Sequence, residues 1–337
     1  MVLNLQTPNT RDFVCGYMVQ VIENGQNSEN RKVYTLLDTI AQPVHRAGLS
    51  DLKRKAKNQY FSKMLAQNLT KLESPLNKGY RRTLFDCGGL IIQEGQKLTS
   101  KYCNARWCNT CNRIRTAKLL NGYQKPLQAF AEPYFVTLTI PNVSEFDLKD
   151  AIKSMLRSFQ LIVRSRRRLT PINGIRKLEC TINAESDTYH PHFHVLVDGE
   201  ENAQYLISEW LKRYELAESW CQDMRSADKG SLSELFKYTT KIVSKTKNGD
   251  FNIYIRKLDV IFNAMYKLRT FQSFGSVRMV TEDIDKLKSD TYDIEFKETE
   301  VYLWANSDWY SMSEGLPLTE YVPSTAMIKL TTDKMII

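Results

Sequence analysis

The chain has 337 residues, 42% of them hydrophobic and 25% charged. That is an ordinary globular balance, which excludes a fibrous or wholly disordered chain and leaves room for more than one structural unit. The net charge of +9 favours a polyanionic partner, and no apolar run reaches the roughly 18–20 residues of a membrane span. Residues 1–8 carry neither a basic flank nor a long apolar core, so a cytoplasmic protein is expected, whose cysteines serve as metal ligands or free thiols. The charge is uneven. Residues 281–337 hold twelve Asp and Glu against five Lys and Arg, a net of −7, which leaves +16 for the remainder.

Residues 13–22 read as a short strand and residues 24–30 as a polar loop. Residues 31–75 look mainly helical and basic, with Lys53-Arg54-Lys55-Ala56-Lys57 offering either a DNA-backbone surface or a solvated helix face. Four of the seven cysteines then follow: Cys87, Cys103, Cys108 and Cys111. Cys108-Asn109-Thr110-Cys111 is a C-x-x-C knuckle suited to tetrahedral thiolate coordination, with Cys103 and Cys87 as third and fourth ligands of a zinc ion. A thioredoxin-like redox pair is the competing reading, but no βαβ pattern surrounds it. Arg106, Arg113 and Arg115 stand close by for phosphate contacts.

Residues 134–142 form a strong strand ended by Pro141. Residues 145–168 read as a helix closing on Arg166, Arg167 and Arg168, which are placed to track phosphates. Residues 174–183 form a second strand, on which Glu179 shares a face with Lys177 and Thr181. The segment Tyr189–Val197 is the most informative of all. Three of the four histidines, His190, His192 and His194, alternate along it and so point to one face of a strand. Neutral imidazoles on one face can hold a metal, and a hairpin with the preceding strand would bring Glu179 over it. The competing reading is a core strand with incidental histidines. Residues 202–222 read as a helix with Tyr205, Leu206, Trp210, Leu211, Leu216 and Trp220 as core. In Ser231–Lys241, Leu232, Leu235, Phe236 and Ile242 recur at helical spacing, Ser231 or Ser233 is placed to cap the start, and Glu234 and Tyr238 lie one turn apart on one face. Lys241 shares that side. Val301-Tyr302-Leu303-Trp304 is strand-like within an acidic tail of unreadable role. Strand and helix order predicts an α+β fold, a central antiparallel sheet with packed helices and a four-cysteine zinc-binding insertion. The expected divisions are an N-terminal basic region (1–82), the zinc module (83–120), a catalytic domain (130–280) and the tail (281–337).

His192-Phe193-His194 has the His-hydrophobic-His form of the HUH endonucleases. The cysteine cluster, the Phe135-Val136-Thr137-Leu138-Thr139 strand, the His190–His194 strand and Glu234-x-x-Lys237-Tyr238-x-x-Lys241 occur in the order seen in one group within that superfamily. Residues 83–280, Lys267–Gly275 included, thus resemble the plasmid rolling-circle replication initiators with one catalytic tyrosine and a glutamate four residues before it. Asn109 stands where that group usually has proline, a looser match at the knuckle.

The resemblance implies metal-dependent nicking and joining of single-stranded or cruciform origin DNA. Tyr238 would be the nucleophile, assisted by Lys241, and the product a 5′-phosphotyrosine with a free 3′-OH primer. It implies Mn²⁺ or Mg²⁺ held by His192, His194 and Glu179, with His190 less certain, and Glu234 as general base for release. A host helicase and DNA polymerase are the implied partners, and the oligomeric state is not readable. The alternatives are an HUH transposase or relaxase, a non-catalytic zinc-containing DNA-binding protein, or an unrelated metallohydrolase on the three histidines.

Overall fold

The computed structural model describes residues 49–95, 97–168, 170–236, 241–246, 249–280, 290–291 and 299–337. The expected strand at 13–22 and loop at 24–30 lie outside them, as does most of the segment before residue 49. Two helices lead, α1 (Leu49–Leu69) and α2 (Asn77–Phe85), followed by the hairpin β1 (Leu90–Glu94) and β2 (Lys97–Ser100). The long α3 (Asn109–Gln128) carries Pro126 in its last turn. Then come β3 (Pro133–Thr139), α4 (Leu148–Ser165), β4 (Gly174–Asn183), β5 (Thr188–Asp198), α5 (Glu200–Arg213), β6 (Asp223–Ser226) and α6 (Lys229–Phe236). The chain continues through β7 (Ser244–Lys245), β8 (Phe251–Tyr254), α7 (Ile255–Ala264), β9 (Phe271–Phe274), β10 (Asp290–Thr291), β11 (Glu300–Ala305), β12 (Asp308–Ser311), α8 (Thr325–Thr332) and β13 (Met335–Ile336).

The fold is mixed α+β with antiparallel sheets. The central one has strand order β6-β3-β5-β4-β9. The β4–β5 hairpin sets its register, from Gly174 opposite Val197 to Asn183 opposite Thr188. Asn183 Oδ1 accepts from the backbone N–H of Glu185 and Ser186, an Asx turn that closes the loop. Because side chains alternate across a strand, the sheet has two unlike faces. One presents Leu178, Phe193, Val195 and Val197 to α4 and α5. The helical repeat of α4 lays Leu148, Ile152, Met155, Phe159 and Ile162 on that face, all buried. Each such side chain contributes roughly 1.5–3 kcal/mol on burial. The other face carries Thr137, Lys177, Glu179, His192 and His194, flanked by an apolar cluster of Phe135, Ile175, Leu196, Leu235 and Phe236. That second face is the polar one, and it positions the site.

The acidic segment after residue 299 is built into the fold. β11 pairs with β1 and β12, and the sheet order is β10-β2-β1-β11-β12. Trp309 is fully buried with Leu52, Ala56, Ile91 and Leu98, and its Nε1 donates to the Gly88 carbonyl at 2.6 Å. α8 and β13 pack with α1, α7 and β8. The 202–222 helix is shorter than its apolar residues suggest: α5 ends at Arg213, and Leu216 and Trp220 beyond it are exposed. Their apolarity imitated a continuing helical stripe.

Candidate metal centres and the surrounding site

Four sulfurs meet where α2 ends, β2 exits and α3 begins. Cys87 Sγ lies 3.7 Å from Cys108 and 3.6 Å from Cys111, and Cys103 lies 3.5 Å from Cys111. These separations exclude disulfides, whose sulfurs sit about 2.05 Å apart. They match a tetrahedron of sulfurs around zinc, for which bonds of about 2.3 Å imply edges of roughly 3.8 Å. Backbone N–H groups of Cys103, Ala105 and Cys111 point at sulfurs at 3.4–3.5 Å, as thiolates require. Cys108 is also the N-cap of α3. All four cysteines are buried. The donor set therefore fits a closed, all-thiolate metal site.

The second group is Glu179, His192 and His194. One ligand atom from each lies within 4.8 Å of the others. Strand register explains this, because Glu179 is directly opposite His192, and Lys177 directly opposite His194. His192 Nδ1 lies 3.1 Å from the His190 carbonyl, which can only accept, so this nitrogen carries the proton and Nε2 keeps its lone pair. His194 Nδ1 sits 3.3 Å from Thr137 Oγ1, and its Nε2 is 3.6 Å from Glu179 Oε2. Burial first, and the His192 ring second, hold the His194 pKa down at about 3. Burial lowers that of His192 as well. Both rings are thus neutral, the form in which imidazole ligates metal. Burial acts to raise the Glu179 pKa, but Lys177, His192 and His194 overcome it and leave the carboxyl at about 2. Two neutral imidazoles and an ionised carboxylate fit a divalent cation with positions left over.

His190 stands beside this group rather than in it. Its ring stacks on His192 with centroids 5.2 Å apart, and its Nδ1 is 2.9 Å from Asn142 Oδ1.

Two residues with no role in the sequence reading complete the surroundings. Lys177 is fully buried, and its ammonium donates to Glu179 Oε2 at 2.6 Å and to the Glu234 carbonyl at 3.2 Å. It joins the carboxylate on the sheet to the backbone of α6. Arg225 Nη2 donates to Glu234 Oε2 at 2.8 Å, with its guanidinium 4.5 Å from the centre of the Phe135 ring. Glu234 is thus paired with Arg225 on the neighbouring strand β6. A lysine two residues from a Glu on one face of an apolar strand was the available signal for Lys177. For Arg225 the sequence carries none. The α6 cap is Asp228, whose Oδ1 accepts from the Ser231 N–H at 2.7 Å; Ser231 and Ser233 were the expected caps.

Tyr238 lies outside the described residues, together with Lys237, Thr239 and Thr240. Lys241, three residues on, is exposed. The arginines expected on phosphates fall into two kinds. Arg106 is turned inward, its guanidinium donating to the Met265 carbonyl at 2.6 Å and to that of Leu268. Arg115 donates to Asn112 Oδ1 and the Asn104 carbonyl, and Arg113 is half-buried on α3. Arg166 pairs with Glu201 at 2.7 Å and lies over the Tyr205 ring. Arg167 and Arg168 are exposed just beyond α4. Among the described residues, no helix is long and apolar enough to cross a membrane.

Residues 96–311 match the model of the family described as Replication protein. Cys87 precedes the matched segment, and the other three cysteines of the cluster lie within it. Curated proteins named "Protein rep" are similar. That of Staphylococcus aureus is 26% identical over 219 residues, 58% of this chain and 96% of the relative. That of Streptococcus pneumoniae is 29% identical over 255 residues, 63% of this chain and 78% of the relative. For that of a Bacillus species the identity is 29% over 178 residues, 48% of this chain and 57% of the relative. No solved structure matches. With well over half of its length matched in one continuous segment, this chain belongs to the replication-protein family.

Proposed function

We propose that the protein initiates rolling-circle replication of a plasmid, as an HUH endonuclease that nicks and rejoins single-stranded DNA at an origin. The observation that carries this is the Glu179–His192–His194 group on the polar face of the central sheet, tied through Lys177 to the helix that leads to Tyr238.

The chemistry is a transesterification. The Tyr238 phenol oxygen attacks the scissile phosphorus, a new P–O bond forms, the bond to the 3′ oxygen breaks, and that oxygen leaves to end as a 3′-OH. The products are a 5′-phosphotyrosine and a primer terminus for a host polymerase acting with a host helicase. A free tyrosine has a pKa near 10, so the phenol needs help to lose its proton at neutral pH; Lys241, three residues further along the sequence, supplies a positive charge. When bound, Mn²⁺ or Mg²⁺ held by His192, His194 and Glu179 supplies Lewis-acid neutralisation of the phosphate oxygens. His190 orients the His192 ring through its carbonyl and stacking. Glu234 accepts a proton from the attacking water in the release step, with Arg225 holding its carboxylate in place. Zn²⁺ belongs to the four-cysteine site and has a structural role. We assign the protein to the cytoplasm, where the origin DNA is.

Full-length protein incubated with a single-stranded origin-sequence library and Mn²⁺ should yield a covalent protein–DNA band. EDTA should prevent it. A protein that binds DNA but gives no band with Mn²⁺ or Mg²⁺ would favour the non-catalytic zinc-containing DNA-binding reading.

A further inference from the structure

One large cleft stands apart from the histidines. It lies over the β9 edge of the central sheet, between α3 and α4, with a volume of about 1040 Å³. Small-molecule sites run to roughly 300–1,000 Å³, so this one suits a segment of a polymer better than a compact ligand. Its charge is one-sided. Arg157, Arg164, Arg167, Arg269 and Arg278 line it, all exposed, and among the described lining residues there is no Asp or Glu.

The floor supplies a second, independent observation. Arg176 is 5% exposed and has no carboxylate partner among the described residues. Its Nη2 donates to Gln272 Oε1 at 2.8 Å, whereas its buried Nη1 has no hydrogen-bond partner there. The guanidinium is packed 5.0 Å from the Phe193 ring centre and 5.7 Å from that of Phe159. A buried cation left uncompensated by the protein is costly. It also projects positive potential into the cleft above it, because the low-dielectric wall screens it poorly.

Aromatic rings stand among the other lining residues. Tyr123, Phe271 and Phe274 line the same cleft, with the Tyr123 and Phe271 ring centroids 5.7 Å apart. Exposed arginines interleaved with rings are what an unpaired nucleic-acid strand needs, since phosphates take the cations and bases stack on the rings. The position fits as well. Phe271 is opposite Lys177, which is opposite His194, so one row of the sheet runs from β9 to the metal group. Two strand spacings are about 10 Å.

Building on the initiator reading, we propose that the β9-edge cleft is a second contact surface for single-stranded DNA. It holds the strand beyond the nicking site, with the five exposed arginines on phosphates and Phe271 and Phe274 against bases. Its residues act by holding substrate, outside the reacting atoms.

The test compares full-length protein with the variant Arg157→Gln/Arg164→Gln/Arg269→Gln. All three side chains are exposed, and circular dichroism melting should show an unchanged fold. Binding of a fluorescein-labelled single-stranded oligonucleotide of mixed sequence is titrated in EDTA across a salt series. The variant should bind at least about tenfold more weakly, and its log Kd against log salt slope should shrink by about 2, at roughly 0.7 per lost phosphate contact. Adduct formation with Mn²⁺ at saturating DNA should match the wild type. A bromodeoxyuridine-substituted strand should crosslink within residues 269–279.

Unchanged affinity and slope, with crosslinks only elsewhere, would overturn the cleft while leaving the initiator reading intact. A wild type that neither binds single strands nor forms an adduct would overturn the initiator reading itself. Loss of inorganic tripolyphosphate binding with DNA affinity unchanged would show a small-anion site and overturn the proposal, as would weakening confined to duplex DNA.

Discussion

The two clusters that fit metal ions are built on opposite principles. The four-cysteine cluster is closed: its four donors are sulfurs, all are buried, and they come from the end of α2, the exit of β2 and the start of α3. The Glu179–His192–His194 cluster uses two elements already locked by a ten-pair hairpin register, and Glu179 remains partly open to solvent. The first geometry leaves no room for a substrate and gives a metal only folding to support. The second needs no metal to hold its strands together and leaves coordination positions free. On the function proposed above, structure falls to one and chemistry to the other, and each half can be broken separately.

The largest effect is expected at the sulfurs. Cys108→Ser or Cys111→Ser should release zinc and unfold much of the protein, because zinc–thiolate bonding contributes on the order of 10 kcal/mol, comparable to the whole stability of a domain. Elemental analysis alongside thermal melting checks it; a variant without zinc and with an unchanged melting temperature would remove the structural assignment.

His192→Ala and His194→Ala should do the reverse. Cleavage falls by about a thousandfold or more, while zinc content and fold persist. His190→Ala should be milder. Equal damage from all three would demote Glu179 as a ligand.

Glu234→Gln is predicted to leave the first nick intact and slow release, so that covalent complex accumulates, by roughly 10²–10⁴-fold if the carboxylate is the base. A time course separates this from a purely bracing role, which would leave turnover normal.

Lys177→Met sharpens the comparison from the folding side. It strips the buried partner from Glu179 and should cost about 3–5 kcal/mol in the metal-free protein. Part of the loss should return with Mn²⁺, since the cation would then face the same carboxylate. Identical losses with and without Mn²⁺ would place the metal elsewhere.

The smallest expected effect is in acid. His190 and His194 are held at about 3, by burial first and by His192 second, against 6.5 for an ordinary histidine. Between those values the unfolded chain takes up protons that the folded one refuses, so the metal-free protein should lose stability as pH falls from about 6.5 towards 3. Glu179, at about 2 against 4.5, adds loss of the same sign lower down. Melting temperature against pH should show a shallower acid slope in His194→Gln.

What the sequence made legible follows from periodicity. β4 and β5 were readable because one face of each alternates polar residues against a buried apolar face, and that alternation also placed Glu179 with the histidines. The C-x-x-C spacing announced the cysteine cluster. Contacts between distant segments left no such trace. Arg106 read as a phosphate ligand because its charge is visible and the Met265 and Leu268 carbonyls it binds are not. The role of the tail was unreadable because acidity says nothing about β11 pairing with β1. Lys177 sat in plain view, but its two acceptors come together only when α6 packs on the sheet. The β9 cleft is the extreme case, since its arginines come from α4 and the turn after it, from β4 and from the segments flanking β9, more than 100 residues apart at the limits.

The most direct test of the account is to locate the DNA adduct. Wild-type protein is incubated with a single-stranded origin oligonucleotide and Mn²⁺, digested with nuclease and protease, and the modified peptide is sequenced by mass spectrometry, with Tyr238→Phe in parallel. A nucleotide joined through its 5′-phosphate to Tyr238 is expected, absent in EDTA and absent in the variant. An adduct on Tyr189 or Tyr123, or one that persists in Tyr238→Phe, would contradict it.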